Sequence, residues 1–176
     1  MSTLPLPLRQ KLIDIAAAQV GVREVPRNSN TGPQVLQYQR ATNLGGTGWP
    51  WCAAFVCWCL REWGRDPAVL EALQLTPDTF AAWRPRTAAA YGFHEWAASR
   101  KLTIFDENEN PGEATLHTGD IVTFDTSHIG LLCTDSANII YTIEGNTDEA
   151  GSREGGGVYK KSRPRSFLRK VIRILP

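Results

Sequence analysis

Trp49-Pro-Trp-Cys-Ala-Ala-Phe-Val-Cys-Trp-Cys-Leu60 is the stretch on which the reading of the fold turns. Gly45-Gly-Thr-Gly48 precedes it, a run too flexible to be helical, and after Pro50 no Gly or Pro interrupts the chain until Gly64. This pattern predicts a loop that ends at Pro50 and a buried helix that begins near Cys52. A thiol at a helix N-terminus faces unpaired backbone N–H groups and the positive end of the helix dipole, which favour the thiolate. The same amides can donate to an oxyanion. Taken alone, Cys52 is either a nucleophile or one more buried cysteine, and the flanking sequence has to decide.

Upstream, residues 8–20 carry Leu8, Leu12, Ile15, Ala16 and Gln19 at helical spacing, with Gly21 as the stop. Residues 23–33 are a loop of turn formers, and 34–42 a second helix with Val35, Tyr38 and Gln39 on one face. Downstream, Asp66-Pro67, Thr76-Pro77 and Arg84-Pro85-Arg86 divide the chain into short helical pieces. Residues 87–99 read as a longer helix, capped by Thr87, with Ala89, Phe93, Trp96 and Ala97 inward. Beyond the polar loop 106–112 the pattern changes to short apolar and β-branched runs at 121–124, 129–133, 139–143, 158–160 and 168–174. Helices first and strands afterwards predict an α+β fold, with N-terminal helices packed on a C-terminal antiparallel sheet.

Composition narrows the class. A chain of 176 residues with 42% hydrophobic and 21% charged residues predicts a single globular domain spanning 1–176. A net charge of +1 gives no electrostatic reason to expect a nucleic-acid partner, and no run approaches the roughly 18 apolar residues of a membrane span. Residues 1–9 lack a basic segment followed by an apolar core, so the expectation is synthesis in the cytoplasm without a Sec signal. Basic residues crowd the end: after Glu154 there is no acid, yet Lys160, Lys161, Arg163, Arg165, Arg169, Lys170 and Arg173 all follow. Two readings stand, a solvated face of terminal strands or an attachment to an anionic polymer. Cys52 and Cys59 would lie about 10 Å apart along a helix, beyond disulfide reach. Cys-x4-Cys-x-Cys fits no usual zinc spacing, so Cys57 and Cys59 read as core and Cys133 as a buried strand residue.

A thiol becomes a useful nucleophile when a base takes its proton and a third group orients that base. His94 sits among aromatics as a packed or surface histidine, and His117 precedes a turn. His128 opens a strand, with Gly130 on its own face leaving room for a close neighbour such as the Cys52 helix. On the next strand, period-two alternation puts Glu144 and Asn146 on one face, placed to accept the other ring N–H of His128. Trp49, beside the cysteine, is either a wall of the substrate groove or core.

Trp51-Cys-Ala-Ala-Phe-Val56, Gly119-Asp-Ile-Val122, Ser127-His-Ile-Gly130 and Thr142-Ile-Glu-Gly-Asn146 together resemble the CHAP family of cysteine- and histidine-dependent amidohydrolases and peptidases. Val20-Gly-Val-Arg-Glu24 and Asn30-Thr-Gly-Pro33 resemble the family's N-terminal half. The resemblance implies a papain-like (CHAP/NlpC-type) fold and hydrolysis of a peptidoglycan amide, as an N-acetylmuramoyl-L-alanine amidase or an endopeptidase. It casts Cys52 as nucleophile, His128 as base, Glu144 as its orienter and Asn146 as further polar support. Some members carry an acidic calcium loop before the cysteine; residues 40–51 contain no Asp or Glu, so no metal or cofactor is expected. The implied setting is a monomer acting in the periplasm or wall after phage-driven lysis or injection, with a holin or an immunity protein as companion. The rival readings are a papain-like amidase acting on a small peptidyl amide and a non-catalytic wall-binding module.

Overall fold

In a computed structural model, described over residues 5–152 and 155–176, the helix that starts at Cys52 is the centre of the packing. This helix, α3 (Cys52–Trp63), has nine buried residues among its twelve, because its apolar run is nearly unbroken. It is preceded by α1 (Pro5–Ala17) and α2 (Pro33–Gln39) and followed by α4 (Pro67–Leu73), α5 (Pro77–Trp83) and α6 (Gly92–Ser99). The strands are β1 (Thr103–Asp106), β2 (Ile121–Phe124), β3 (His128–Ser136), β4 (Ile139–Thr147), β5 (Gly157–Pro164) and β6 (Leu168–Arg173). They form one antiparallel sheet in the order β1-β6-β2-β3-β4-β5. The fold class is therefore α+β, with helices first and the sheet after them. Among the described residues no helix is long and apolar enough to cross a membrane.

Both faces of the central strands are covered, which is why β2 is buried at every position. Ile121, Ile129, Leu131, Ile143 and Ile172 join the helices in the main core, while Val122, Phe124, Leu132, Ile140, Leu168 and Val171 form a second core with Ala114 and Leu116. Alternate residues of each strand thus serve different cores, as the pleat requires. The main core brings α3 directly onto the end of β4. A Cβ added to Gly145 would lie 2.7 Å from Cβ of Phe55 and 2.8 Å from the Trp51 ring. Only a residue without a side chain admits the helix this closely.

The structure departs from the sequence expectations in several places. β1 is absent from the expected strands, and its last residue, Asp106, falls in the expected loop 106–112: it is four residues long and lies at the sheet edge against β6 alone, so it carries little alternation to read. The helix expected over 87–99 begins at Gly92. Thr87 Oγ1 instead accepts from the Ala89 amide at 3.1 Å in a turn, and a Cβ on Gly92 would lie 2.3 Å from that same oxygen. Cys133 is half-buried rather than buried, because the β3–β4 register slips between Leu132 and Thr134 and leaves it outside the ladder.

The basic C-terminal run matches neither earlier reading. Arg163 pairs with Glu144, Arg165 with Glu107, Lys170 with Asp106 and Arg173 with Asp120. Arg169 lies 4.2 Å above the Tyr91 ring, and Lys161 donates to the carbonyls of Asp148 and Glu149. Glu107, Asp120 and Glu144 are all buried, and buried carboxylates are held only when paired and hydrogen-bonded. The run is largely internal counter-charge.

Gly145→Ala should force α3 off β4. Overpacking at such a contact costs about 1–3 kcal/mol, read as a fall of roughly 3–10 °C in the thermal midpoint. An unchanged midpoint would show that the contact is not tight.

Candidate active site

His128 is the first residue of β3 and follows a tight turn in which Ser127 adopts a left-handed backbone, φ 57°. Tyr91 fixes that turn. Its hydroxyl accepts from the Ser127 amide at 3.3 Å and lies 3.2 and 3.0 Å from the Phe124 and Asp125 carbonyls. The imidazole is 1% exposed, and its ring lies 6.1 Å from that of Phe124, its register partner on β2. Nε2 is 2.9 Å from Glu144 Oε2, and Nδ1 is buried and makes no hydrogen bond, which leaves it for the Cys52 thiol that acts on the same ring.

Glu144 has no exposed surface, yet it accepts hydrogen bonds on every side. Oε1 takes Thr142 Oγ1 at 2.6 Å and Arg163 Nε at 2.7 Å; Oε2 takes His128 Nε2 and Arg163 Nη2 at 2.5 Å. Burial pushes this carboxyl up, but the bonds from Arg163 and His128 outweigh it and hold it at about 2. Burial likewise pulls the His128 imidazole down; Cys52 and Glu144 prevail and raise it from 6.5 to about 9. The base is therefore an imidazolium at neutral pH, flanked by a carboxylate and a thiol.

Gly130 makes this approach possible, though not in the expected way. A Cβ there would lie 2.7 Å from Glu144 Cγ, so the space beside His128 admits Glu144 and not the Cys52 helix. Asn146 also has a different task from the expected one. Its Oδ1 accepts from the Trp51 amide, and its Nδ2 donates to the Gly155 carbonyl at 2.9 Å. It supports the approach to Cys52, not the ring of His128. No side chain caps α3, so the amides of its first turn point free towards the thiol end, where an oxyanion would form.

Trp51, passed over in the sequence, anchors this corner. It is fully buried, its Nε1 donates to Glu24 Oε1 at 2.8 Å, and its ring stacks on Tyr38 at 5.4 Å. Trp49 packs half-buried against the main core, and its carbonyl accepts from Gln39 Nε2 at 3.0 Å. Beside Pro50 runs a polar groove of about 420 Å³ lined by Glu24, Asn28, Asn30 and Pro50; Trp49 is not among those walls.

The remaining candidates lie elsewhere. His94 Nε2 is 2.8 Å from Thr123 Oγ1, and burial pulls it down to about 4. His117 Nδ1 accepts from Arg9 at 2.6 Å. Burial pushes the Cys57 thiol up to about 12 and Cys59 well above its ordinary value, as expected of inert core thiols. Among the described residues, no three His, Cys, Asp or Glu side chains converge as a metal site. Arg163 and Thr142, which both donate to Glu144, were given no role from the sequence alone. Thr142 sits two residues before Glu144 on the same strand face, a legible signal, whereas Arg163 was indistinguishable from the other basic residues of its run. No protein-family profile, curated protein or solved structure matches the chain.

The raised His128 links stability to pH. Its contribution is fully present below 6.5, the unfolded value, and is lost as pH rises through about 9. The thermal midpoint should therefore fall between those limits, and His128→Gln should flatten the fall. An equal slope in the variant would show that His128 does not hold its proton in the folded state.

Proposed function

We propose that this protein is a cysteine hydrolase that cleaves an amide bond of bacterial peptidoglycan, on a papain-like fold of the CHAP type. One observation carries the reading: the His128 ring is held by a buried carboxylate on Nε2, and its unpartnered Nδ1 is open to the thiol that begins α3. That is the arrangement of nucleophile, base and orienter by which a thiol performs acyl transfer. The ordered motifs around Cys52, His128 and Glu144 support the family and hence the substrate class.

The chemistry follows from the geometry. The Cys52 thiolate adds to the amide carbonyl, forming a C–S bond and an oxyanion that the Cys52 amide and its first-turn neighbours stabilise. Collapse breaks the C–N bond as the His128 imidazolium gives its Nδ1 proton to the departing nitrogen. Water then attacks the thioester and yields one proton to Nδ1; the C–S bond breaks, the acid loses its own proton to solvent, and the thiolate–imidazolium pair is restored. Glu144 keeps the ring oriented and balances its charge throughout. Asn146 holds the backbone from which the nucleophile projects.

In this reading the enzyme works as a monomer in the wall or periplasm, delivered by phage lysis or by an injection machine. Cys52→Ala should stay folded and lose wall clearing by about 10³-fold or more, measured as turbidity of a purified wall suspension. A variant that still clears walls would overturn the assignment. Residues 40–51 offer no acidic ligand, so clearing should be unchanged in EDTA. Mass spectrometry of the digest then names the bond: free lactyl groups mean an amidase, new peptide ends an endopeptidase. An intact wall beside a cleaved small peptidyl amide would move the substrate to the rival class.

A further inference from the structure

We propose that Arg163 is a positioning residue of this site: its two-pronged grip on Glu144 keeps that carboxylate aimed at His128 and extends the working range of the cysteine–histidine pair into acid. The inference rests on the cysteine-hydrolase reading above and adds to it a residue and a pH dependence.

The placement of Arg163 is the first argument. On β5 its register partner is Ile140, whereas that of Glu144 is Tyr159, so the arginine must reach back along the strands to meet the carboxylate. The route is confined. The guanidinium lies 5.0 Å from the centre of the Phe124 ring, which is itself stacked beside His128, and Nη2 also donates to the Gly151 carbonyl at 3.2 Å. The side chain is only 12% exposed. A surface arginine has no reason to take that path.

The second argument is the shape of the bond. Nε and Nη2 each address a different oxygen of Glu144, and with Thr142 and His128 each oxygen receives two donors. A planar fork on a planar carboxylate fixes its rotation as well as its position, which a lysine ammonium does not. Rotation matters here because one oxygen must stay on His128 Nε2.

The third argument is charge. The ionisable groups facing Glu144 are His128 from β3 and Arg163 from β5; Tyr159 is its register partner, with Arg23 over the ring, and Cys52 of α3 meets the pair through His128. Remove Arg163, and Glu144 keeps Thr142 and His128 but loses the strongest of the groups that oppose its burial. Desolvation then favours the neutral acid. In mild acid the protonated carboxyl no longer balances the imidazolium, and the pair fails at a pH where the native site still works.

The test compares native protein with Arg163→Met and Arg163→Lys, measuring iodoacetamide alkylation of Cys52 and wall clearing from pH 4 to 9. For Arg163→Met, the ratio of rates at pH 5 to pH 7 should fall about tenfold below the native ratio, a displacement of roughly one pH unit. Arg163→Lys should lie between the two. Superimposed native and Arg163→Met profiles would overturn the proposal, and full restoration by lysine would overturn the need for the fork. Should Arg163→Met fail to fold, carbon-13 NMR of glutamate carboxyls in the native protein decides: Glu144 should not titrate above about pH 3, and a midpoint near the ordinary 4.5 would refute the grip. Native Cys52 that resists alkylation at neutral pH would instead overturn the cysteine-hydrolase reading itself.

Discussion

An ionised carboxylate with no solvent contact is the constraint around which this molecule is arranged. Unpaired, a charge at Glu144 would cost several kcal/mol. The strand that carries it supplies Thr142, the neighbour on one side supplies His128, and β5 supplies Arg163. Each partner is in turn confined: His128 by the Tyr91-braced turn and Phe124, Arg163 by Phe124 and the Gly151 carbonyl. The same bonds that make the charge tolerable also commit one nitrogen of the imidazole and leave the other without a partner. Stability and reactivity here have a common origin.

Much of this was legible in the residues. The unbroken apolar run after Pro50 located α3, and β-branched runs located five of the six strands, because both signals are local. Cys52 and His128 were legible because each opens an element, and Glu144 because strand alternation put it beside His128, where the structure places it. What was missed is long-range. Arg163 lies 19 positions from Glu144, and a single sequence does not say which basic residue of a run turns inward. Asn146 was assigned to the correct corner but to the wrong neighbour, since strand alternation does not reveal that its amide meets the Trp51 backbone. Gly92 shows the limit of helical periodicity: a good inner stripe does not move the helix start when a threonine oxygen occupies the preceding turn.

The late basic residues carry a wider lesson about charge patterns. A run of seven cations with no acid suggests a surface to be met by something else. In this fold, four of them answer carboxylates contributed by other parts of the chain, three of which are buried. Here β5 closes one edge of the sheet and β6 lies between β1 and β2, so the last two strands bring their cations alongside carboxylates from elsewhere in the chain.

Glu144, Gly145 and Asn146 are consecutive, and each grips a different part of the molecule: the base, the flank of α3, and the backbone just before the nucleophile. Three residues of one strand therefore act as a drilling jig, tying His128, α3 and the backbone before Cys52 to one short segment. The helices α4 and α5 make none of these contacts, whereas Tyr91, just before α6, braces the turn that presents His128. One short segment thus fixes the geometry on which the proposed chemistry depends, and α4 and α5 are free to vary around it.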